Sequence, residues 1–154
     1  MLRTLKDLLD TFMAPGKESP EASRHALQLA TAVLLVEVMR AQPDVDAGER
    51  NRVLASLREK FSLADDELAR LVELAELTAK NASDFHQFTS RINDSLPHAQ
   101  KIQIVENMWQ VAYADGHLDA HESHLISKIA ALLHVTHGEY IAAKMRAKEI
   151  VLHA

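Results

Sequence analysis

The chain has 154 residues, enough for one domain that buries about 70% of its unfolded surface. Its composition, 47% hydrophobic and 25% charged, is typical of a globular protein. The absence of cysteine excludes disulfides, thiolate metal sites and thiol catalysis, and the net charge of -5 argues against nucleic acid as a partner. No apolar run approaches the roughly 18 residues of a membrane span, and no signal peptide is recognised. We therefore expect a cytoplasmic protein without membrane insertion.

The first predicted helix covers about residues 2–13, followed by a helix-breaking stretch up to Ser19. We interpret residues 1–18 as an N-terminal amphipathic helix and linker, and residues 19–154 as a helical domain. The apolar face of the first helix is expected to dock on the bundle, with contact to a partner protein or a homodimer as the alternative. Its apolar residues are Leu2, Leu5, Leu8, Leu9 and Phe12.

Ser19 and Pro20 form a helix start signal, because proline is tolerated at the first helical position. The helix that follows reaches about Ala41 and is most apolar around Leu34, which predicts a central position. Asp46 then precedes Glu49 by three residues, the spacing of a capping box, and opens a helix that reaches about Phe61.

Further helices are predicted over about residues 64–81 and 84–94, and another from Pro97 to the Asp-Gly at residues 115–116. Asp119 and Glu122 repeat the capping-box spacing at the next start, and Thr136 and Glu139 cap the last helix, which reaches the C-terminus. Because strand-like alternation is absent throughout, the sequence predicts an all-α fold, a single compact bundle of seven to eight helices. Trp109 and Tyr113, four residues apart just before the second acidic loop, are interpreted as core, with a partner groove as the alternative.

The two halves of the chain are related by an internal repeat. Adding 73 to Val38, Asp46 and Glu49 gives Val111, Asp119 and Glu122. Adding 72 to Phe61, Leu63 and Glu67 gives Leu133, Val135 and Glu139, so the copies slip by one residue in between. The repeat predicts a pseudo-twofold helical domain in which two acidic loops each lead into a helix.

The segment Ala114–Glu122 has the order alanine, aspartate, glycine, any residue, aliphatic residue, aspartate, two further residues and glutamate. With its relaxed upstream copy, it resembles the TerB-like tellurite-resistance family over about residues 23–150. The resemblance implies a compact all-α bundle of bacterial origin with a proposed divalent-metal site at the acidic loops. The first copy departs from the motif, since Gln42 and Pro43 stand where the second has Asp115 and Gly116.

The acids of these loops have two open interpretations, helix capping alone or capping combined with cation binding. Calcium takes 6–8 oxygen ligands and magnesium about six, so the carboxylates of one loop cannot complete a site. A full site needs both loops, backbone carbonyls or water. Calcium or magnesium is favoured over zinc. The predicted ligands are Asp115, Asp119, Glu122, Asp44, Asp46 and Glu49.

A secondary metal site is formed in principle by His117, His121 and His124, since the last two are three residues apart and share a helix face. Neither a Gly-rich phosphate loop nor a Gly-x-Ser-x-Gly motif is present, so no catalytic residue is predicted. The leading hypothesis is a non-enzymatic module in a bacterial stress response, with a divalent cation as its cofactor. A metal-free scaffold that binds a protein partner is the alternative, and a metal-dependent hydrolase is the least favoured.

Overall fold

The computed structural model describes residues 19–41, 47–82, 84–114, 118 and 120–152. These residues form seven α-helices and contain no strand, which confirms the predicted all-α class. The predicted helix at residues 2–13 lies outside them. The helices are α1 (Pro20–Arg40), α2 (Ala47–Phe61), α3 (Asp65–Asn81), α4 (His86–Ser95), α5 (His98–Tyr113), α6 (Ala120–Leu132) and α7 (His137–Leu152).

Local hydrogen bonds at the helix starts explain several of these bounds. The backbone N–H of Ala22 donates to Oγ of Ser19 at 3.1 Å, which confirms the predicted start of α1. Thr136 and Glu139 form the predicted capping box of α7, with bonds of 2.9 and 3.2 Å. Helix α4 begins two residues later than predicted. Asp84 stays outside it and accepts the N–H of His86 at 2.9 Å.

Helix α1 lies at the centre of the bundle, as its sequence predicts. Every residue from Gln28 to Val36 is buried, including the polar Thr31. The hydroxyl of Thr31 donates to the backbone carbonyl of Leu27 at 2.9 Å, so the buried side chain keeps a hydrogen bond. Because α1 is covered on all sides, the other helices are arranged around it.

The repeat predicted from the sequence is present in the structure. Helices α1, α2 and α3 of the first half correspond to α5, α6 and α7 of the second, and α4 connects the halves. Ala47 and Ala120, which start the second helix of each half, keep the longer of the two offsets found in the sequence. In the turns that follow, Ser62 and His134 have φ values of 52° and 62° and keep the shorter offset. The one-residue slip therefore falls within the second helix.

The halves are held together by reciprocal packing. Within each half the first helix packs on the third, so that α1 contacts α3 and α5 contacts α7. Across the halves, α1 contacts α5 and α6, and α2 contacts α5, as a pseudo-twofold relation requires. In the part of the chain that the structure describes, no helix is long and apolar enough to cross a membrane.

Candidate functional site

The predicted ligands fall partly outside the described residues. Five of them, Asp44, Asp46, Asp115, His117 and Asp119, lie there, so their predicted roles stay predictions. Glu49, Glu122, His121 and His124 are described. Glu49 lies in the first turn of α2, and His121 and Glu122 lie in the first turn of α6, with His124 in the next turn.

Glu49 and Glu122 are both fully buried, with no exposed surface. Each is the third residue of the helix that follows an acidic loop, so the repeat places the two carboxylates equivalently. Glutamates are rarely removed from water without compensation of their charge. Full burial of a glutamate at the equivalent position of both halves is therefore unusual and indicates a specific role for this position.

A second pair of equivalent glutamates behaves differently. Glu67 and Glu139 are also third residues of their helices, and each accepts the N–H of the residue before its helix. The distances are 3.1 Å from Ala64 and 2.9 Å from Thr136, and both glutamates keep contact with solvent. A glutamate can therefore cap a helix in this fold without being buried, and capping alone does not account for the burial of Glu49 and Glu122.

The end of α1 lies beside the start of α6. Arg40 and Ala41, which lead into the first acidic loop, line one shallow groove together with His121 and His124. Glu37 lines it too and forms an ion pair of 2.7 Å with Arg40. Burial raises the pKa of Glu37, while the nearby guanidinium opposes that shift. The chain thus enters the first acidic loop and leaves the second one at the same groove.

The imidazoles of His121 and His124 are exposed at this groove. Within residues 19–41, 47–82, 84–114, 118 and 120–152, no three histidine, aspartate or glutamate side chains are grouped so that they could hold a metal ion. A complete site would need ligands from the loop residues outside these ranges. The secondary histidine site, which includes His117, stays a prediction for the same reason.

An aromatic cluster fixes the end of α5, next to the second acidic loop. Trp109 is fully buried, and its ring centroid lies 6.0 Å from that of Tyr113 and 5.3 Å from that of Tyr140. Tyr113 is 6% exposed, and burial raises the pKa of its phenol. The hydroxyl of Tyr140 contacts the carbonyl of Ser123 on α6 at 3.4 Å. Trp109 and Tyr113 are thus core residues, as the sequence predicts. Through Tyr140, the cluster links the end of α5 to the start of α6, the two helices that flank the second acidic loop.

A family model described as tellurite resistance protein TerB matches residues 28–145. The chain belongs to the TerB family. The TerB match covers most of α1, all of α2 to α6 and about half of α7, and so includes both acidic loops and both buried glutamates. It confirms the resemblance predicted from the sequence. No curated protein and no solved structure shows significant similarity to the chain.

Proposed function

We propose that this TerB domain binds a divalent cation between its two acidic loops and acts as a non-enzymatic module of a bacterial stress response. The proposed location is the cytoplasm. Glu49 and Glu122 supply carboxylates from the helix starts, and the loop acids complete the coordination. The proposed loop ligands are Asp44, Asp46, Asp115 and Asp119.

The observation that carries this proposal is the complete burial of Glu49 and Glu122 at equivalent positions. Moving a carboxylate out of water is strongly unfavourable unless a counter-charge or several hydrogen bonds replace its hydration. A cation shared by the two halves would add positive charge close to both carboxylates at once. The groove that joins Ala41 to His121 supports the proposal, because Ala41 directly precedes the first loop and His121 closely follows the second.

The donor set favours a hard cation. Carboxylate oxygens, backbone carbonyls and water are the ligands that calcium and magnesium prefer, whereas zinc prefers histidine and cysteine. The chain has no cysteine, and His121 and His124 are exposed at the groove, whereas Glu49 and Glu122 are buried. We therefore propose calcium or magnesium as the ion.

Isothermal titration of calcium, magnesium, manganese and zinc into metal-free protein tests the proposal. Glu49→Gln and Glu122→Gln should each weaken binding at least tenfold, about 1.4 kcal/mol. Each variant replaces a charged ligand by a neutral side chain of the same size. Glu67→Gln and Glu139→Gln are matched controls at the same helical position, and they should leave binding unchanged. The proposal is wrong if no ion gives heat or a thermal shift at millimolar concentration, or if the controls weaken binding as much as the tests.

A metal-free scaffold is the second candidate, and the outer face of α7 favours it. Ile141 and Met145 lie one turn apart there and are 39% and 58% exposed. Large apolar side chains grouped on a surface are typical of protein contacts. This candidate predicts that Ile141→Gln with Met145→Gln abolishes binding of a protein partner in pull-down experiments. The double variant should leave cation titrations unaffected, so the two candidates are separable.

A further inference from the structure

The pseudo-twofold relation makes two grooves equivalent, and helix α4 occupies only one of them. Helix α4 packs against α1 and α6, and its side chains Phe88 and Ile92 are fully buried there. The repeat converts α1 into α5 and α6 into α2, so the equivalent surface lies between α5 and α2. There, α2 and α5 line a cavity of about 500 Å³. We call it the α2–α5 groove and define it by Arg52, Ser56, Lys60, Gln103, Asn107 and Gln110.

The open groove has polar residues at positions where the repeat has apolar residues in the other half of the chain. Asn107 corresponds to Leu34, and Ser56 corresponds to Ile129, both by the longer offset of the repeat. Arg52 likewise corresponds to Leu125. Solvent contact alone would explain polar residues at the rim, but Ser56 is only 5% exposed. The floor of the groove therefore has polar groups that are hidden from bulk water.

Two of these polar atoms lack a partner. Oγ of Ser56 and Oδ1 of Asn107 are buried and form no hydrogen bond with any residue that the structure describes. A buried polar atom without a partner destabilises a fold, so such atoms are uncommon in native proteins. Both line the α2–α5 groove, one from each wall. They are placed to bind a ligand that both accepts and donates a hydrogen bond.

The charges of the groove indicate the sign of that ligand. Arg52, Ser56 and Lys60 follow at four-residue spacing and so share one face of α2, with the hydroxyl between two cations. Neither cation forms an ion pair with a residue in the described ranges. Lys60 is half-buried, and burial lowers the pKa of its ammonium group, with nearby Glu59 and Glu106 opposing that shift.

Two acids also line the groove. Oε1 of Glu106 lies 2.6 Å from Nε of Arg146, so its charge is largely compensated. Glu59 is exposed and forms no ion pair with a described residue, and it is expected to repel an anion. With Arg52, Lys60 and Arg146 against Glu59 and Glu106, the groove and its rim have three positive and two negative side chains. The balance is positive and favours an anion.

We propose that the α2–α5 groove binds a small, singly protonated oxyanion of the hydrogen-phosphate type. Arg52 and Lys60 compensate its charge, and the hydroxyl of Ser56 donates to an anion oxygen. Oδ1 of Asn107 accepts the hydroxyl proton of the anion, which a fully deprotonated oxyanion cannot supply. The amide groups of Gln103 and Gln110 add further donors at the same wall.

Titration of inorganic phosphate into metal-free, isotope-labelled protein at neutral pH, followed by amide chemical shifts, tests this site. We expect shifts that saturate at millimolar phosphate and are confined to α2, α5 and the end of α7. Sulfate has no proton at this pH and should bind about fivefold or more weakly. Because no divalent cation is added, the outcome does not depend on the function proposed above.

Variants that are expected to change phosphate affinity in opposite directions keep the test independent of folding, because a folding defect could only weaken binding. Arg52→Gln and Lys60→Gln should each weaken phosphate binding about tenfold, since charge-assisted hydrogen bonds are lost. Glu59→Gln should strengthen it about twofold or more by removing repulsion. Lys80→Gln, which removes an exposed cation from α3, is the matched control and should have no effect. The proposal is overturned if phosphate causes no saturating shifts, if sulfate binds as well, or if Lys60→Gln and Lys80→Gln have equal effects.

Discussion

Ser62 and His134 are the two described non-glycine residues with a positive φ, at 52° and 62°, and the shorter offset of the repeat makes them equivalent. Each occupies the turn between the second and third helices of its half. A side chain in this left-handed region is strained, because Cβ crowds the following carbonyl oxygen. Both halves use the same strained position to reverse the chain after their second helix.

Glycine should therefore stabilise the protein at either turn. Ser62→Gly and His134→Gly remove the Cβ strain, and after the entropy loss of glycine we expect a gain of about 0.5–1 kcal/mol each in the free energy of unfolding. Urea unfolding followed by circular dichroism measures it. Ser127→Gly, at an exposed position inside α6, is the matched control and should lose roughly 0.5 kcal/mol. A loss at both turns would contradict the assignment of strain.

Glu139 should make stability depend on acidic pH. Its carboxylate accepts the N–H of Thr136 at 2.9 Å and lies 2.8 Å from Nε2 of His98, and these bonds, the backbone bond first, lower its pKa from the ordinary 4.5. Because the pKa is lower in the folded state, the carboxylate stabilises the fold above the ordinary pKa. That contribution is lost as the pH falls through the folded value.

Glu139→Gln tests this dependence. The difference in unfolding free energy between wild type and variant should be constant above about pH 5 and should shrink steadily towards more acidic pH. Urea unfolding at a series of pH values measures the difference. Glu73→Gln on α3, whose carboxylate forms no hydrogen bond with a described residue, should show no such trend. A difference that grows as the pH falls would refute the direction of the shift.

Trp109 should be a major contributor to stability. It is fully buried between Tyr113 and Tyr140, and Nζ of Lys144 lies 5.2 Å from its ring centroid. Trp109→Ala leaves a large cavity and should lower the free energy of unfolding by about 3–5 kcal/mol. Trp109→Phe should lose less than half as much, because its Nε1 has no hydrogen-bond partner among the described residues. Circular dichroism during urea unfolding compares them, and equal losses would contradict this account.

The central position of α1 predicts that two leucines differ strongly in their contribution to the free energy of unfolding. Leu34 is fully buried, whereas Leu77 on α3 is 45% exposed. Leu34→Ala should lower the free energy of unfolding by about 3–5 kcal/mol, and Leu77→Ala should change it by only about 0.5 kcal/mol. Thermal unfolding midpoints of the two variants provide the check. Similar shifts for both would mean that α1 is not the centre of the core.

Much of the fold follows from local signals in the sequence. The start of α1 at Ser19 and Pro20, and the capping box of Thr136 and Glu139, are set by groups only a few residues apart. The burial of α1 follows from its uninterrupted apolar run around Leu34. Such features need no knowledge of the rest of the chain. The repeat was recognisable because Asp46 and Glu49 recur at an offset of 73, as Asp119 and Glu122.

The candidate sites depend on packing that local patterns do not encode. Glu49 and Glu67 occupy the same position in their helices, yet one is buried and the other is exposed. The repeat of the acidic loops singles out Glu49 as a ligand, but its burial depends on tertiary packing, which the sequence around it does not show. The sequence analysis does not identify Arg52, Ser56 and Lys60 as a site, because only the arrangement of α2 beside α5 brings Asn107 into the same groove.

The exchange of contacts between the halves has a consequence for how the chain could be divided. Helix α1 contacts α4, α5 and α6, and α2 contacts α5, so a polypeptide that stops after Ala82 exposes the apolar surface of these contacts to water. This fragment and the remainder of the chain should each be unstructured when alone. Mixed together, the two should assemble into one stoichiometric complex, and the domain would then serve as a split reporter that becomes ordered only when its pieces meet.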